Sequence, residues 1–309
     1  MTVKIQSSNE YSKLRSVVVG TAINANWPSQ DEQFRKMEET TRWKHTPVPS
    51  GPVELSIIEH TEEELERLCN TFVQQGVEVH RPSPMDYQAI DGMYGYCPRD
   101  RLLVIDDKII DCHMRFPCRQ REIETYGYLP DENFVTIDDP DVVFDAANVL
   151  RHNNDLLYLV SESGNKQGAK WLQKQFPDKK VHVLDNIYNG VHIDSTITML
   201  NENTVALNAN RITADKLPKL FHGYDIFWFT ENHIEPTGFY KYPYASKWMA
   251  LNMFSIDRNT VVVDRDQHKI IQKLEKRNFT VIPQKLTHSR TLGGGFHCCT
   301  LDLWREDDA

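Results

Sequence analysis

Short apolar runs recur along the chain, and most are rich in β-branched residues and bounded by Gly, Asp or Asn. Runs of this kind are typical of buried β-strands. The strands that this pattern predicts most clearly cover residues 16–20, 101–110, 154–160, 204–208 and 260–264.

Amphipathic helical patterns lie between these runs. The clearest covers residues 61–76, where Thr61 and Glu64 have the spacing of a capping box and Gly76 can end the helix. Its apolar face is formed by Leu65, Leu68, Cys69, Phe72 and Val73. Further helices are predicted over residues 167–176, 246–253 and 267–278.

Strand and helix patterns that alternate in this way predict an α/β fold. We find no linker, low-complexity stretch or convincing repeat, and the Pro-rich segment 41–54 is too short to separate domains. The sequence therefore predicts a single domain that spans residues 1–309.

Composition narrows the class of partner. With 40% hydrophobic and 26% charged residues, the chain has the composition of an ordinary globular protein. Its net charge of −9 argues against nucleic acid as a partner and is compatible with a small cationic substrate. No apolar run approaches the roughly 20 residues that a membrane span needs, so no membrane partner is expected. Six cysteines without a disulfide framework, and an N-terminus without a signal-peptide pattern, favour a reduced cytoplasmic protein.

Candidate chemistry begins with the stretch TLGGGFHCCTLD at residues 291–302. Its glycines permit close approaches that a Cβ atom would forbid. If the stretch is extended, Cys298 and Cys299 point to opposite faces, so only one of them can meet a pocket. His297 would then share the side of Cys299 and be a poor base for Cys298. A thiol nucleophile at Cys298 therefore needs a His from a distant segment, oriented by a carboxylate.

Three segments offer such partners. His192 and Asp194 are two positions apart in a strand-like stretch, so both can project to one face. Asp145 follows an apolar run at a predicted strand end, and Asp100 lies just before a strand. Each of these residues can also be explained without a function, as a sheet-edge His or as a cap or turn Asp.

A metal site is not expected. Cys112, His113 and Cys118 form a loose cluster, but no second CxxC pair accompanies them.

These segments, taken in chain order, resemble the amidinotransferase family, most closely its arginine:glycine amidinotransferase branch. The combination of LGGGFHC with upstream HID and FDAA is specific. The resemblance covers nearly the whole chain, through residues 9–25, 98–111, 144–155, 191–197, 208–211, 246–253 and 292–302. It implies an α/β propeller of five ββαβ-type modules with pseudo-fivefold symmetry, the pentein fold.

The resemblance also implies roles for individual residues. Cys298 matches the catalytic nucleophile, His192 the general acid/base, and Asp145 the carboxylate that orients it. Asp100 and Asp194 match carboxylates that hold the substrate guanidinium. Arg211 and Ser246 match residues that bind the α-carboxylate end of the donor. The other positions implied to bind substrate are Asn189, Gly294 and Gly295. No cofactor is implied.

The implied chemistry suits these residue types. A guanidinium is planar and permanently charged, so carboxylates on two sides hold it in register. Its carbon is a poor electrophile, which favours attack by a thiolate over attack by water. The implied reaction moves the amidino group of L-arginine through a covalent amidino-cysteine to an amine such as glycine, an ω-amino acid, a diamine or lysine, and releases ornithine. A homodimer is also implied.

Two departures from the glycine enzymes concern the acceptor side. Asn148 replaces an Asp in the sequence FDAAD, and Val191 replaces a Met before His192. Two other functions are kept open. The first is a guanidino hydrolase of the arginine-deiminase type, which uses the same Cys, His and Asp residues, and the second is a non-catalytic amino-acid-binding protein.

Overall fold

The computed structural model describes residues 3–41 and 47–306, so part of the Pro-rich segment predicted as a loop lies outside the described residues. The strands are β1 (Leu14–Val19), β2 (Asn26–Trp27), β3 (Gly51–Pro52), β4 (Glu78–His80), β5 (Leu102–Ile105), β6 (Lys108–Asp111), β7 (Phe134–Val135), β8 (Val149–His152), β9 (Asp155–Leu159), β10 (Lys180–Leu184), β11 (Ile197–Asn201), β12 (Thr204–Asn208), β13 (Asp225–Phe229), β14 (Phe254–Asp257), β15 (Thr260–Asp264), β16 (Thr280–Gln284) and β17 (Thr300–Arg305).

The α-helices are α1 (Glu32–Thr41), α2 (Leu55–Gln74), α3 (Pro98–Arg101), α4 (Lys166–Gln175), α5 (His268–Glu275) and α6 (Ser289–Leu292). Short 3₁₀ helices cover Pro117–Tyr126, Asp131–Asn133, Ala146–Asn148, Ala214–Lys216, Lys219–Phe221, Glu231–His233 and Lys247–Leu251. Within the described ranges no helix is both long enough and apolar enough to cross a membrane.

Five three-stranded sheets repeat one pairing scheme across the described ranges. Their strand orders are β17-β1-β4, β5-β6-β7, β8-β9-β10, β11-β12-β13 and β14-β15-β16. In each sheet the middle strand pairs antiparallel with one neighbour and parallel with the other. The parallel partner follows a crossover segment, because a tight turn cannot join two parallel strands. Strands β2 and β3 form a further small pair.

One sheet joins the two ends of the described chain. Strand β1 pairs antiparallel with β17, with Val19 opposite Thr300. Outside the ladder, the amide of Arg305 donates to the carbonyl of Gln6 at 2.7 Å. This pairing fixes the segment that immediately precedes β17, which contains the two adjacent cysteines.

The largest apolar cluster lies under helix α2. Leu65, Leu68 and Phe72 are fully buried there, together with Cys298 and Cys299. Burial of one such large apolar side chain contributes about 1.5–3 kcal/mol. The cluster therefore forms a rigid back wall behind the cysteine turn.

Helix α2 begins at Leu55 and not at the predicted capping box. Ile57 and Thr61 are buried on the same face as Leu65, so the buried side of the helix extends upstream of residue 61. Glu64 does not cap the helix. Its carboxylate accepts hydrogen bonds from the amide and the hydroxyl of Thr287, at 2.6 and 2.7 Å.

Two other elements differ in detail from the prediction. The run 101–110 is a hairpin of β5 and β6, because Asp106 adopts a left-handed conformation (φ +52°) at the turn. The predicted helix over 246–253 is the 3₁₀ helix Lys247–Leu251, with Ser246 as its N-cap.

Candidate active site

The glycine run ends helix α6 and places the cysteine turn. Gly293 has φ +85°, a left-handed conformation that favours glycine. A Cβ atom on Gly294 would lie 2.5 Å from Cys97 Sγ and 2.9 Å from Cys298 Cβ. The carbonyl of Gly294 accepts a hydrogen bond from the hydroxyl of Tyr96 at 3.0 Å. The run is therefore a close-packed connection in which a side chain on Gly294 has no room.

The segment around Cys298 is a turn, which corrects the extended conformation expected from the sequence. The amide of Cys299 donates to the carbonyl of Gly295 at 2.9 Å, and the amide of Thr300 donates to that of His297 at 3.2 Å. Only Cys298 lines a cavity of about 230 Å³, while Cys299 is fully buried in the apolar cluster. One thiol thus reaches the cavity, but the turn and not strand alternation separates the two.

His297 also departs from the expectation. It does not share a side with Cys299, because its Nδ1 lies 2.9 Å from Asp194 Oδ2. The same carboxylate oxygen accepts a hydrogen bond from the thiol of Cys298 at 3.1 Å. His297 is therefore a neighbour of the candidate nucleophile through Asp194.

His192 lies directly before a turn and not in the predicted strand, since β11 begins only at Ile197. Its φ of +61° is a left-handed conformation that is uncommon for residues other than Gly. The amide of Thr196 donates to the carbonyl of Ile193 at 2.8 Å, which closes the turn. This turn brings both His192 and Asp194 to the cavity that Cys298 lines.

Two carboxylates contact the imidazole of His192. Its Nε2 lies 3.0 Å from Asp145 Oδ2, and its Nδ1 lies 3.5 Å from Asp100 Oδ1. Asp145 is held because its amide donates to the carbonyl of Ser163 at 2.8 Å. Asp145 precedes the 3₁₀ helix Ala146–Asn148, as the predicted turn requires, but it follows an isolated β-bridge at Phe144 and not the predicted strand.

Asp100 lies in the short helix α3, directly before β5 as predicted. Arg119 Nη1 donates to its Oδ2 at 3.1 Å, while its buried Oδ1 has no hydrogen-bond partner. This oxygen faces His192 Nδ1 at 3.5 Å without a hydrogen bond, and a donor-rich ligand would supply the one that it lacks.

Asn252 fixes the candidate nucleophile from the other side. Its Nδ2 donates to Cys298 Sγ at 3.2 Å, and its Oδ1 accepts from the Cys298 amide at 2.9 Å. A hydrogen bond with the thiol of Cys97 raises the pKa of Cys298 well above its usual range, and burial and Asp194 raise it further. The free protein therefore holds Cys298 as a thiol.

The pKa values of the facing groups are also shifted. Burial opposes the charged form of His192, yet Asp100 and then Asp145 raise its pKa well above the ordinary value. Burial likewise opposes ionisation of Asp194, but the hydrogen bond from His297 and its charge lower the pKa of Asp194 to about 2. For Asp100 burial prevails over His192 and Arg119 and raises the pKa. The site thus pairs an imidazolium with buried carboxylates.

The other residues expected to bind substrate lie at different depths. Ser246 lines the cavity. Arg211 donates to Ser195 Oγ at 2.8 Å and lies 3.6 Å from the ring centroid of Tyr188, and both of these partners line the cavity. Asn189 is exposed and does not line the cavity, and its carbonyl accepts from the amide of Glu162 at 3.3 Å.

Gly295 also lies behind the cavity wall. A Cβ atom there would lie 2.8 Å from Asn252 Cβ, so its contact is with the residue that fixes Cys298. The remaining cavity lining is Val191, Ala245, Met249 and Gly293. Among the described residues, Asp100, His192 and Cys298 also offer ligand atoms within 4.8 Å of one another that could hold a metal ion.

Asn148 is not part of the cavity lining. Its Nδ2 donates to the carbonyl of Leu159 at 2.8 Å, and its Oδ1 accepts from Ser163 Oγ at 2.7 Å. The same Ser163 hydroxyl oxygen accepts from the amide of His192 at 3.4 Å. Substitution of Asp by Asn at this position therefore affects the support of His192 and not the lining of the cavity.

Sequence reasoning missed Asn252, Cys97 and Glu10 at this site. Asn252 lies within the segment SKWMALNM, which carried the resemblance but not a role. Cys97 immediately precedes the PRD sequence that contains Asp100. Glu10 is far from the other segments along the chain, so only the fold could place its carboxylate 3.2 Å from His297 Nε2.

Comparison with known proteins points to one family. The chain is 36% identical to inosamine-phosphate amidinotransferase 1 of Streptomyces griseus, over 96% of each chain. It is 28% identical to the mitochondrial glycine amidinotransferase of Xenopus tropicalis, over 97% of this chain and 82% of that protein. It is 27% identical to the L-arginine:L-lysine amidinotransferase of Pseudomonas savastanoi pv. phaseolicola, over 98% and 95%. No protein-family model matches the chain.

Solved structures agree with these sequence relatives. The inosamine-phosphate amidinotransferase structure from Streptomyces griseus superposes with a TM-score of 0.88 at 35% identity, covering 98% of this chain and 97% of that one. The N-terminal domain of a cyanobacterial arginine dihydrolase superposes with a TM-score of 0.70 at 14% identity, over 94% and 98%, and shows the shared α/β fold alone. On these relationships, the chain belongs to the amidinotransferase family, whose members are enzymes that transfer amidino groups.

Proposed function

We propose that the protein transfers the amidino group of L-arginine to a primary amine, with release of ornithine, through a covalent amidino group on Cys298. The observation that carries this proposal is the convergence of one thiol, one imidazole and three buried carboxylates. His192 contacts Asp145 at 3.0 Å and Asp100 at 3.5 Å, and Cys298 contacts Asp194 at 3.1 Å. Side-chain atoms of Asp100, His192 and Cys298 lie within 4.8 Å of one another, which brings the two sets of contacts together.

The charge of this cluster suits a guanidinium. Asp100 keeps a buried oxygen without a hydrogen-bond partner, and Asp194 is held ionised by His297. A guanidinium offers five donors in a plane, which can satisfy both carboxylates at once. Its positive charge would also stabilise the Cys298 thiolate, because an opposite charge near an ionisable group favours the charged form.

The first half-reaction needs a proton carrier. Cys298 Sγ bonds to the guanidino carbon of arginine, and the bond from that carbon to the side-chain nitrogen of ornithine breaks. His192 donates a proton to the departing amine and accepts the one that leaves the thiol. Asp145 keeps the imidazole in place through its contact with Nε2 at 3.0 Å.

The second half-reaction reverses the roles. An acceptor amine attacks the amidino carbon on Cys298, and the sulfur–carbon bond breaks. The departing sulfur takes a proton from the His192 imidazolium, and the neutral imidazole then accepts the surplus proton of the incoming amine, which restores the thiol and the imidazolium. Water must be kept from the intermediate in the interval, because hydrolysis would yield a urea-type product.

Arg211 and Ser246 are proposed to hold the amino-acid end of the donor. Ser246 lines the cavity, and Arg211 supports the wall formed by Tyr188 and Ser195. An arginine guanidinium is suited to bidentate recognition of a carboxylate. Asn189, Gly294 and Gly295 complete the proposed donor site, with Asn189 at its exposed margin.

We also propose that residues 1–309 form one catalytic domain in which the five sheets are the modules of a closed propeller. The support is the pairing scheme, which is the same in all five sheets of the described chain. A crystal structure would test this proposal, and an open arrangement of the sheets would contradict it.

The experiment for the reaction measures the products of arginine turnover against a panel of amines. The panel contains glycine, lysine, an ω-amino acid, a diamine and an aminocyclitol phosphate, the last because of the inosamine-phosphate relatives. Ornithine formation that depends on an amine supports the transferase. Citrulline formation that ignores every amine would instead establish the guanidino hydrolase, which is the alternative that uses the same residues.

Mass spectrometry tests the intermediate. Enzyme quenched shortly after mixing with arginine should carry the mass of one amidino group on the peptide that contains Cys298. Localisation of that mass to Cys299 would refute the assignment. Absence of both turnover and adduct, with arginine still bound, would favour a non-catalytic binding protein.

A further inference from the structure

His297 lies between two carboxylates deep in the protein. Its Nδ1 lies 2.9 Å from Asp194 Oδ2, and its Nε2 lies 3.2 Å from Glu10 Oε2. All three side chains are buried. An ionised carboxylate can only accept hydrogen bonds, so both ring nitrogens must carry a proton to satisfy both contacts. His297 is therefore placed to bridge Asp194 and Glu10 by donating a hydrogen bond to each.

Glu10 is fixed on its far side by two buried arginines. Arg151 donates to both of its oxygens, through Nε to Oε1 at 2.9 Å and through Nη2 to Oε2 at 2.8 Å. Arg99 Nη1 lies 3.4 Å from Oε2. Both arginines also contact Asp302, so Glu10 cannot turn away without breaking a buried ion cluster.

The contacts run without interruption from this cluster to the thiol. Glu10 holds His297, His297 holds Asp194, and Asp194 Oδ2 accepts from the Cys298 thiol at 3.1 Å. None of the steps in the proposed reaction uses Glu10 or His297. Neither residue contacts a proton that the reaction moves, and only Asp194 stands between them and the reacting sulfur.

Building on the proposed arginine chemistry, we propose that Glu10 and His297 are positioning residues that keep Asp194 ionised and aimed at the guanidinium and at Cys298. The contacts and burial above carry this inference. Asp194 is faced by His297, Cys298 and His192. Glu10 is faced by Arg151, Arg99, His297 and Asp302.

Loss of the His297 contact should weaken the binding of arginine more than it lowers the stability of the protein. Burial raises the pKa of Asp194, and His297 is the group that most strongly lowers it to about 2. Without His297 the buried carboxylate takes up a proton at higher pH and can no longer attract a guanidinium. The KM for arginine should rise, and the acid limb of kcat/KM should move to higher pH.

Two substitutions of the same residue separate this role from a general structural one. The amide nitrogen of an Asn side chain can reach the place of Nδ1, and that of a Gln side chain can reach the place of Nε2. His297→Asn therefore keeps a donor to Asp194, whereas His297→Gln keeps one only toward Glu10. The matched control is His182→Asn, which removes the contact of His182 Nε2 with Asp155 outside the cavity lining.

The measurement is steady-state kinetics with arginine varied at saturating acceptor, over a series of pH values, beside thermal midpoints. We expect His297→Gln to raise the arginine KM by about 10- to 100-fold, the range for a lost hydrogen bond to a charged group. His297→Asn should recover most of that KM, and its acid limb should lie between those of His297→Gln and the wild type. Glu10→Gln, which keeps the shape but removes the charge, should also raise the KM.

Several results would overturn the inference. Equal kinetics for the Asn and Gln variants, or an unchanged KM in His297→Gln and Glu10→Gln, would show that Asp194 needs no support from His297. A loss of kcat that follows the loss of thermal stability in every variant would show a structural role. Failure of the wild type to bind or consume arginine would instead refute arginine as the donor. That outcome is separate from the others because it is measured on the wild type and needs no variant.

Discussion

The Oδ2 atom of Asp194 accepts the hydrogen bond of the Cys298 thiol at a distance of 3.1 Å. A carboxylate at this distance disfavours the thiolate, and it is one cause of the raised pKa of Cys298. The same carboxylate is suited to attract a guanidinium. One side chain can therefore keep the nucleophile protonated in the free enzyme and bring in the cation that favours its ionisation.

The adjacent cysteines give the first prediction. Cys298→Ser should lower turnover of arginine by at least about 1,000-fold, because a hydroxyl is a far weaker nucleophile than a thiolate. Cys299→Ala is the matched control. Since Cys299 is buried in the apolar cluster and does not line the cavity, this change should alter thermal stability more than kcat. Comparable losses of activity in both variants would contradict the assignment.

The raised thiol pKa of Cys298 predicts slow alkylation of the free enzyme. The thiolate is the reactive form, and its fraction increases as the pH rises toward the pKa of the thiol. Labelling of Cys298 by iodoacetamide, followed by mass spectrometry, should still accelerate above pH 9. Guanidinium-containing ligands that are too small to cover the sulfur should accelerate labelling at pH 7. A labelling rate of Cys298 that does not change with pH would contradict a buried, protonated thiol.

The contact of His192 with Asp145 gives a graded prediction. His192→Asn should lower kcat by about 100- to 10,000-fold, the usual contribution of a general acid or base. Asp145→Asn should have the smaller effect, because the role proposed for Asp145 is only to orient the imidazole that it contacts. Asp107→Asn, at an exposed carboxylate paired with Lys108, serves as the control. A larger effect for Asp145→Asn than for His192→Asn in kcat would reverse the two roles.

The glycine run predicts a steric effect. Gly294→Ala should lower kcat/KM by more than about tenfold, since the added Cβ would meet Cys97 Sγ and Cys298 Cβ and displace the nucleophile. Gly127→Ala is the control, because a Cβ there meets nothing within 4 Å. Kinetics that are the same for both variants would show that the turn can shift without consequence for the thiol.

The buried ion cluster predicts acid sensitivity of the fold. Burial raises the pKa of Glu10 and of Asp302, but Arg151 lowers both well below the ordinary values. Groups whose pKa is lower in the folded state stabilise it above their unfolded pKa of about 4, and this stability is lost as the pH falls below that value. The free energy of unfolding should therefore fall steadily between about pH 5 and pH 3.

Urea denaturation across this pH range tests the cluster. Glu10→Gln should lower the unfolding free energy at pH 7 by about 3–5 kcal/mol, because it leaves buried arginines with less compensating charge. Its loss of stability between pH 5 and pH 3 should be smaller than in the wild type. Glu63→Gln, at an exposed carboxylate, should leave both quantities unchanged. An unaltered pH dependence in Glu10→Gln would show that its carboxylate is not linked to acid unfolding.

The five runs that the sequence predicted as strands correspond to six of the 17 strands in the described chain, and they stand out because they are apolar and bounded by turn residues. The strand expected over residues 204–208 is β12, and the one over 260–264 is β15. The start of α2 could not be predicted from Thr61 and Glu64, because tertiary contacts use both residues differently. Thr61 is buried in the helix, and Glu64 binds Thr287, which is distant along the chain.

The sequence indicated some of the residues that line the candidate site, but it did not indicate their local geometry. The resemblance selected Cys298, His192 and Asp194, and the structure brings all three to one cavity. The alternation of extended residues was the wrong reason, since two turns and a left-handed His192 produce this arrangement. Glu10 could not be found from the pattern, because its contact with His297 spans 287 positions.

The pairing of β1 with β17 bears on when activity can arise during synthesis. Ser7 and Asp302, joined by a hydrogen bond of 2.7 Å, are 295 positions apart. A nascent chain that emerges from the ribosome at about 5–20 residues per second exposes β1 long before its partner exists. The nucleophile is made only a few residues before that partner. Activity that depends on Cys298 can therefore arise only once β17 has been made, and a chain stalled before residue 298 would lack this thiol and leave one edge of β1 unpaired.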